Sequence, residues 1–223
     1  MKLRVVTLFV FLIAAALMAG CSSKPPAYSG VPMSSQMQPT EWNPQVMAYR
    51  NPDVDIRQYK KVMLLPVEIY RGPDAEFEGV SQEEQQEMAG YLYSAVEKVL
   101  QEKGLLTNQP GPGVARLKLV LAGLEKTRPV ASTATHALPV GLALNLGKGA
   151  MGKNGSFMGT ATVGGEFTDS TNGTLVATFL AKENPNAMDL PTVVSTWDAS
   201  KKALDRVAQQ IGDRIEKVQL GQG

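Results

Sequence analysis

Cysteine and histidine each occur once in the 223 residues, and tryptophan twice. A lone thiol excludes a disulfide within the chain and any zinc site built on cysteine pairs. Stability must therefore come from packing. The single imidazole, His136, lies in Ala-Ser-Thr-Ala-Thr-His-Ala, and no GxSxG motif surrounds any serine. A serine nucleophile needs a positioned base, and His136 reads as a plain loop residue. An excess of positive charge is also missing. The 22 Lys and Arg nearly cancel the 21 Asp and Glu, which argues against nucleic acid as a partner. A long apolar run is missing too. The longest, Val5 to Ala19, falls short of the ~20 residues needed to span a bilayer.

That run follows Lys2 and Arg4 and closes on Met18-Ala19-Gly20-Cys21. A basic start, a short apolar middle and a small-residue end make a secretory leader. The ending resembles the bacterial lipobox, with Met18 where Leu is commoner. The resemblance implies cleavage between Gly20 and Cys21 and a diacylglyceryl group on the Cys21 thiol. Two acyl chains give stable anchoring, because each buried methylene contributes about 0.8 kcal/mol. Ser22 and Ser23 follow. By resemblance to known sorting signals, the absence of an Asp beside Cys21 implies the outer membrane.

Residues 21–48, rich in Ser, Pro, Gln and Met, read as a flexible tether, with Trp42 and Met47 able to dock. Residues 49–223 read as one domain. Tyr59 to Tyr70 reads as a strand buried on both faces, with Pro66 marking an edge, a bulge or the strand's end. Ser81-Gln82-Glu83-Glu84 is a capping box. It opens a helix that reaches about Lys103 and stops at Gly104. The apolar face of that helix is Met88, Tyr91, Leu92, Ala95, Val96, Val99 and Leu100. Leu105 to Gln109 reads as a short strand. Arg116 to Lys126 alternates as a half-buried strand. Phe157–Thr168 and Thr174–Ala181 form a hairpin around Asn172-Gly173. A last helix, about Trp197 to Gln219, is capped by Thr196 and buries Leu204, Val207, Ala208, Ile211, Ile215 and Val218. The expected fold class is α+β: a mainly antiparallel sheet with two amphipathic helices packed on one face.

The acidic clusters Asp53/Asp55 and Asp74/Glu76/Glu78 lack the glycine and distal glutamate of an EF-hand loop and read as solvated. Glu166 and Asp169 are a carboxylate pair of the kind used in hydrolysis, yet any domain of this size holds such pairs. No glycine cluster makes a phosphate loop. We therefore expect no catalytic residue, no metal and no cofactor, and a protein that is not an enzyme. Leu138, Val140, Leu142, Leu144 and Leu146 alternate with small or polar residues, and alternation resumes from Phe157. Such a pattern suits a hairpin covering its own core, and also one inserted in a membrane.

Tyr49-Arg50-Asn51-Pro52-Asp53-Val54-Asp55 and Tyr59-Lys60-Lys61-Val62-Met63-Leu64-Leu65-Pro66-Val67 resemble motifs of a proteobacterial lipoprotein family classed as a domain of unknown function. Gly165-Glu166-Phe167-Thr168-Asp169, the Asn172-Gly173 turn and Trp197 extend the resemblance over most of the domain. It implies a Gram-negative envelope and a small α+β domain, and no known activity. The order of elements is also faintly similar to lipoproteins of curli-type secretion channels. The expected function is a lipid-anchored, non-enzymatic binding or assembly module at the outer membrane, facing the periplasm. Its expected partners are membrane lipid through Cys21 and an unnamed envelope protein. The alternative is an oligomeric pore or secretion subunit inserting residues 138–167. A hydrolase is a third option.

Overall fold

The computed structural model describes residues 30–126, 160–184 and 197–221. Seven strands form one sheet: β1 (Gln38–Pro39), β2 (Val46–Arg50), β3 (Lys61–Leu64), β4 (Glu68–Ile69), β5 (Val114–Leu124), β6 (Ala161–Asp169) and β7 (Leu175–Glu183). The spatial order is β1-β2-β7-β6-β5-β3, with β4 also on β5. Pairing is antiparallel except that β3 and β4 run parallel to β5. Two helices, α1 (Gln82–Glu102) and α2 (Asp198–Gln219), complete the α+β fold.

Helix α1 begins where its capping box predicts. Ser81 Oγ accepts the Glu84 amide at 3.2 Å, and Glu84 Oε2 accepts the Ser81 amide at 2.8 Å. The helix ends before Gly104, whose φ of +64° is easily reached only without a Cβ. Met88, Leu92, Val96 and Leu100 are fully buried, as their spacing requires. They meet Leu117, Leu119 and Leu121 of β5 and Ala203, Leu204 and Val207 of α2 in the main core. Both helices thus cover the same sheet face. The N-cap of α2 is Trp197, without a side-chain cap bond; the expected cap, Thr196, lies outside the described residues. Lys103 clasps the helices together, with Nζ 2.8 Å from both Asp213 Oδ1 and Glu216 Oε2.

Several expectations change. The strand expected over Tyr59 to Tyr70 is two pieces broken at Leu65-Pro66-Val67, because proline cannot donate to the ladder. β3 is also an edge strand, and it alternates in burial instead of being buried on both faces. The short strand expected at Leu105 shrinks to a single bridge, Val62 to Leu106. β5 is half-buried only in its first part; from Leu119 to Leu124 both faces are buried.

The cover over that second face comes from chain expected to be tether. Only residues 21–29 of that tether lie outside the described residues. From Gly30 onward the segment folds back on the sheet, where Val31 and Met37 join Met47, Tyr70, Val120, Ala122 and Leu180 in a second core. Two apolar residues separated by Ser, Pro and Met leave no periodic trace.

The hairpin closes as expected. Asp169 donates its amide to the Thr174 carbonyl at 2.8 Å and accepts the Gly173 amide at 2.9 Å. Only Gly173 has a positive φ, +75°; Asn172 stays in the ordinary region. A Cβ on Gly173 would meet nothing within 4 Å. Gly173→Val should therefore lose about 1–2 kcal/mol through backbone strain alone. An unchanged melting temperature would count against that.

The hairpin weighed over residues 138–167 is revised in its second arm. Residues from Ala161 onward are β6, paired on both sides inside the sheet. Residues 138–159, including the Leu138–Leu146 face, lie outside the described residues, as do Gly20, Cys21 and His136.

Candidate functional site

The alternation of β2 sends Val46, Ala48 and Arg50 toward the helices and Met47 and Tyr49 toward the second core. Register fixes the neighbours: Ala48 lies opposite Phe179, and Arg50 opposite Ala177. On the next strand, Phe179 lies opposite Gly165 and Ala177 opposite Phe167. Above this floor runs the C-terminal half of α2. Its Val207, Ile211, Ile215 and Val218 keep the helical spacing. The floor is shallow where Ala48, Ala115 and Ala177 stand, so helix and sheet do not close on each other. A cavity of about 220 Å³ remains, open to solvent as a groove. Trp42 and Thr40 border it, as do Ile56 and Tyr59 near the short 3-10 turn Ile56–Gln58.

The groove is almost wholly apolar. Phe167 and Phe179 lie tilted in it with ring centroids 6.3 Å apart. Among the described residues its only charged lining groups are Arg50 from the strand wall and Arg214 from the helix wall. The Arg214 guanidinium stands 5.9 Å from the ring centre of Trp42. Neither arginine forms an ion pair among the described residues. Asp55, the acid that feels Arg50 electrostatically, is already bound to Arg57 at 2.9 Å. Polar contacts flank the groove. Gln210 Nε2 and Asn43 Nδ2 donate to the buried Glu183 at 2.8 and 3.2 Å. Gln219 Nε2 donates to the Lys60 carbonyl at 3.1 Å, pinning the end of α2.

The carboxylates singled out in the sequence have separate partners. Asp55 caps the 3-10 turn through the Arg57 amide. Asp74 accepts the Tyr70 hydroxyl at 2.6 Å. Glu76 accepts Lys182 Nζ at 3.0 Å and Thr162 Oγ1 at 2.9 Å. Asp53 and Glu78 are exposed. Glu166 pairs with Lys118 at 3.3 Å, while Asp169 accepts the Tyr59 hydroxyl at 2.9 Å. The expected carboxylate pair is therefore engaged in two different contacts. Among the described residues, no group of His, Cys, Asp or Glu is placed to hold a metal ion.

Asp169 anchors the turn. Its Oδ1 accepts the Thr171 hydroxyl and the Thr171 amide, the latter at 2.7 Å. These bonds, the hydroxyl first, lower its pKa from 3.8 to about 2. A depressed folded pKa contributes stability that is present above the unfolded value and lost as pH falls through the folded one. Wild-type stability should therefore decline more steeply than that of Asp169→Asn between pH 3.8 and about 2. Parallel urea curves for the two proteins through that window would refute this. Tyr59, pushed up to about 12 by burial and then by Asp169, stays protonated throughout.

Sequence reasoning missed the groove because its strand wall, Val46–Arg50, straddles the end of the supposed tether at residue 48 and its pieces are remote in the chain. The readable signal was the stripe of α2 continuing past Ile211 to Ile215 and Val218.

No curated protein matches the chain. Among solved structures it is similar to the PelC dodecamer from Paraburkholderia phytofirmans, at 12% identity and a TM-score of 0.39, over 74% of this chain and 94% of that one. It is similar also to protein XCC0632 from Xanthomonas campestris, of family DUF330, at 12% identity and a TM-score of 0.42, over 77% and 92%. A family model described as "Protein of unknown function (DUF3313)" matches residues 27–211. That stretch takes in every strand and both helices except the last turns of α2, and the chain belongs to this family.

Proposed function

We propose that the protein is a lipoprotein of the Gram-negative envelope. Cys21 holds it to the outer membrane, and its domain serves as a non-enzymatic binding module facing the periplasm. The leader ending in Met18-Ala19-Gly20-Cys21 supports the anchor. The observation that carries the binding role is the open apolar groove between α2 and the sheet. An apolar recess left exposed beside well-packed cores is where a ligand gains most from leaving water.

Cys21→Ser should abolish incorporation of radioactive fatty acid and release the chain from the membrane fraction. Labelling that persists in the variant would refute the anchor. The Cys21→Ser chain should retain the melting transition of the wild type, since among the described residues the packed cores are built from Val31 and residues after it.

A further inference from the structure

We propose that the groove binds a single-chain anionic amphiphile, such as a fatty acid. Its hydrocarbon tail would lie over Ala48, Ala177 and Phe179, and its head would be held by Arg50 and Arg214. The inference rests on reading the groove as the binding surface; it does not depend on the Cys21 anchor.

Size, lining and charge each narrow the occupant. An apolar cavity of about 150 Å³ admits a benzene ring, so 220 Å³ takes a longer run of methylenes. The space suits one tail better than the paired tails of a diacyl lipid. Along the groove there is hydrocarbon on both walls, so specificity for a tail would come from area and length. The groove's described lining includes two arginines, one from each wall, and no acid. Guanidinium is suited to a carboxylate or phosphate head, which it can grip through two parallel hydrogen bonds.

The same charges argue against two other occupants. A second copy docking by two-fold symmetry would place the same patch against itself, bringing four arginines together without an acid among them. The chain's own acyl anchor would fill the groove with a neutral tail and leave both arginines unanswered.

The test uses the full chain held in nanodiscs of zwitterionic lipid. A photoreactive long-chain fatty acid is compared with the fatty alcohol of equal length, and crosslinked peptides are mapped by mass spectrometry. Crosslinks should fall on β2, β7 or the second half of α2. The acid should half-saturate labelling at a concentration about tenfold or more below the alcohol, because a hydrogen bond to a charged group is worth at least that factor. The Arg50→Gln/Arg214→Gln double variant, altered only at the groove margin, should lose this preference and keep its melting temperature. Ala48→Leu/Ala177→Leu, which fills the floor, should lose labelling by acid and alcohol alike. Each methylene removed from the probe should weaken binding about fourfold. Crosslinks confined to other surfaces, equal uptake of acid and alcohol, or an unaffected double variant would overturn the proposal. With both chains compared in the same detergent micelles, a several-fold rise in labelling on Cys21→Ser would overturn it too, since the anchor's own tail would then be the natural occupant.

Discussion

Leu117→Ala should lower the free energy of unfolding by about 2–5 kcal/mol. Leu117 is fully buried in β5, opposite Leu64 of β3 and Phe167 of β6, in the core shared by both helices. Neighbours on every side are themselves held by the sheet ladder or by α1 and α2, so the vacated space cannot collapse. A typical domain has only ~5–15 kcal/mol of stability in total, and this one has no disulfide in reserve. The next residue is an internal control. Lys118 points the other way, with its side chain 32% exposed beside Glu68 and Glu166. Lys118→Ala should cost well under 1 kcal/mol, as solvated ion pairs usually do. Denaturant midpoints for the two variants that differ by less than the experimental scatter would refute this account of the core.

Gly164→Leu should detach the N-terminal segment. A Cβ at position 164 would stand 2.4 Å from Val31 Cγ2, and Val31 is only 3% exposed. Any side chain there has to push the segment off the second core. Overpacking of this kind costs about 1–3 kcal/mol, and the local consequence is more telling than the global one. Amide hydrogen exchange over residues 30–40 should accelerate, while that of α1 changes little. Gly90 makes the contrast. It sits in the interior of α1 with nothing within 4 Å of its added Cβ. Gly90→Ala should raise stability by about 0.5–1 kcal/mol, because alanine loses less backbone freedom in a helix. Unaltered exchange over residues 30–40 in Gly164→Leu would mean the segment is not held where Gly164 places it.

What could be read from the sequence was whatever depended on neighbours in the chain. The start of α1 was written in Ser81 and Glu84, its end in Gly104, and the hairpin in Asn172-Gly173. The buried stripe of α2 followed from residues three and four apart. Non-local pairing was the part that escaped. Nothing in Lys61–Leu64 says that it runs parallel to Val114–Leu117, and nothing in Gln38 to Arg50 says that it becomes two outer strands. The groove escaped for the same reason. Val46, Ile56, Val176 and Ile211 are unremarkable apolar residues one by one, and only the register of β2 on β7 and the placement of α2 bring them to one surface. Arg50 was visible as part of a motif, and its orientation depended on a strand that the sequence did not announce.

The five residue pairs that join β2 to β7 also give the domain a mechanical side. Any pull applied to the chain ahead of Gly30 passes first through the Val31 and Met37 packing. It next reaches the two pairs of β1 on β2, and only then the longer β2–β7 seam. With two pairs against five, the outer elements would be expected to give way before the β2–β7 seam. Past them the load falls on β2, which is also the strand wall of the groove. Tension applied ahead of Gly30 would therefore reach the gap between Ala48 and α2 before it reaches β6 or β5.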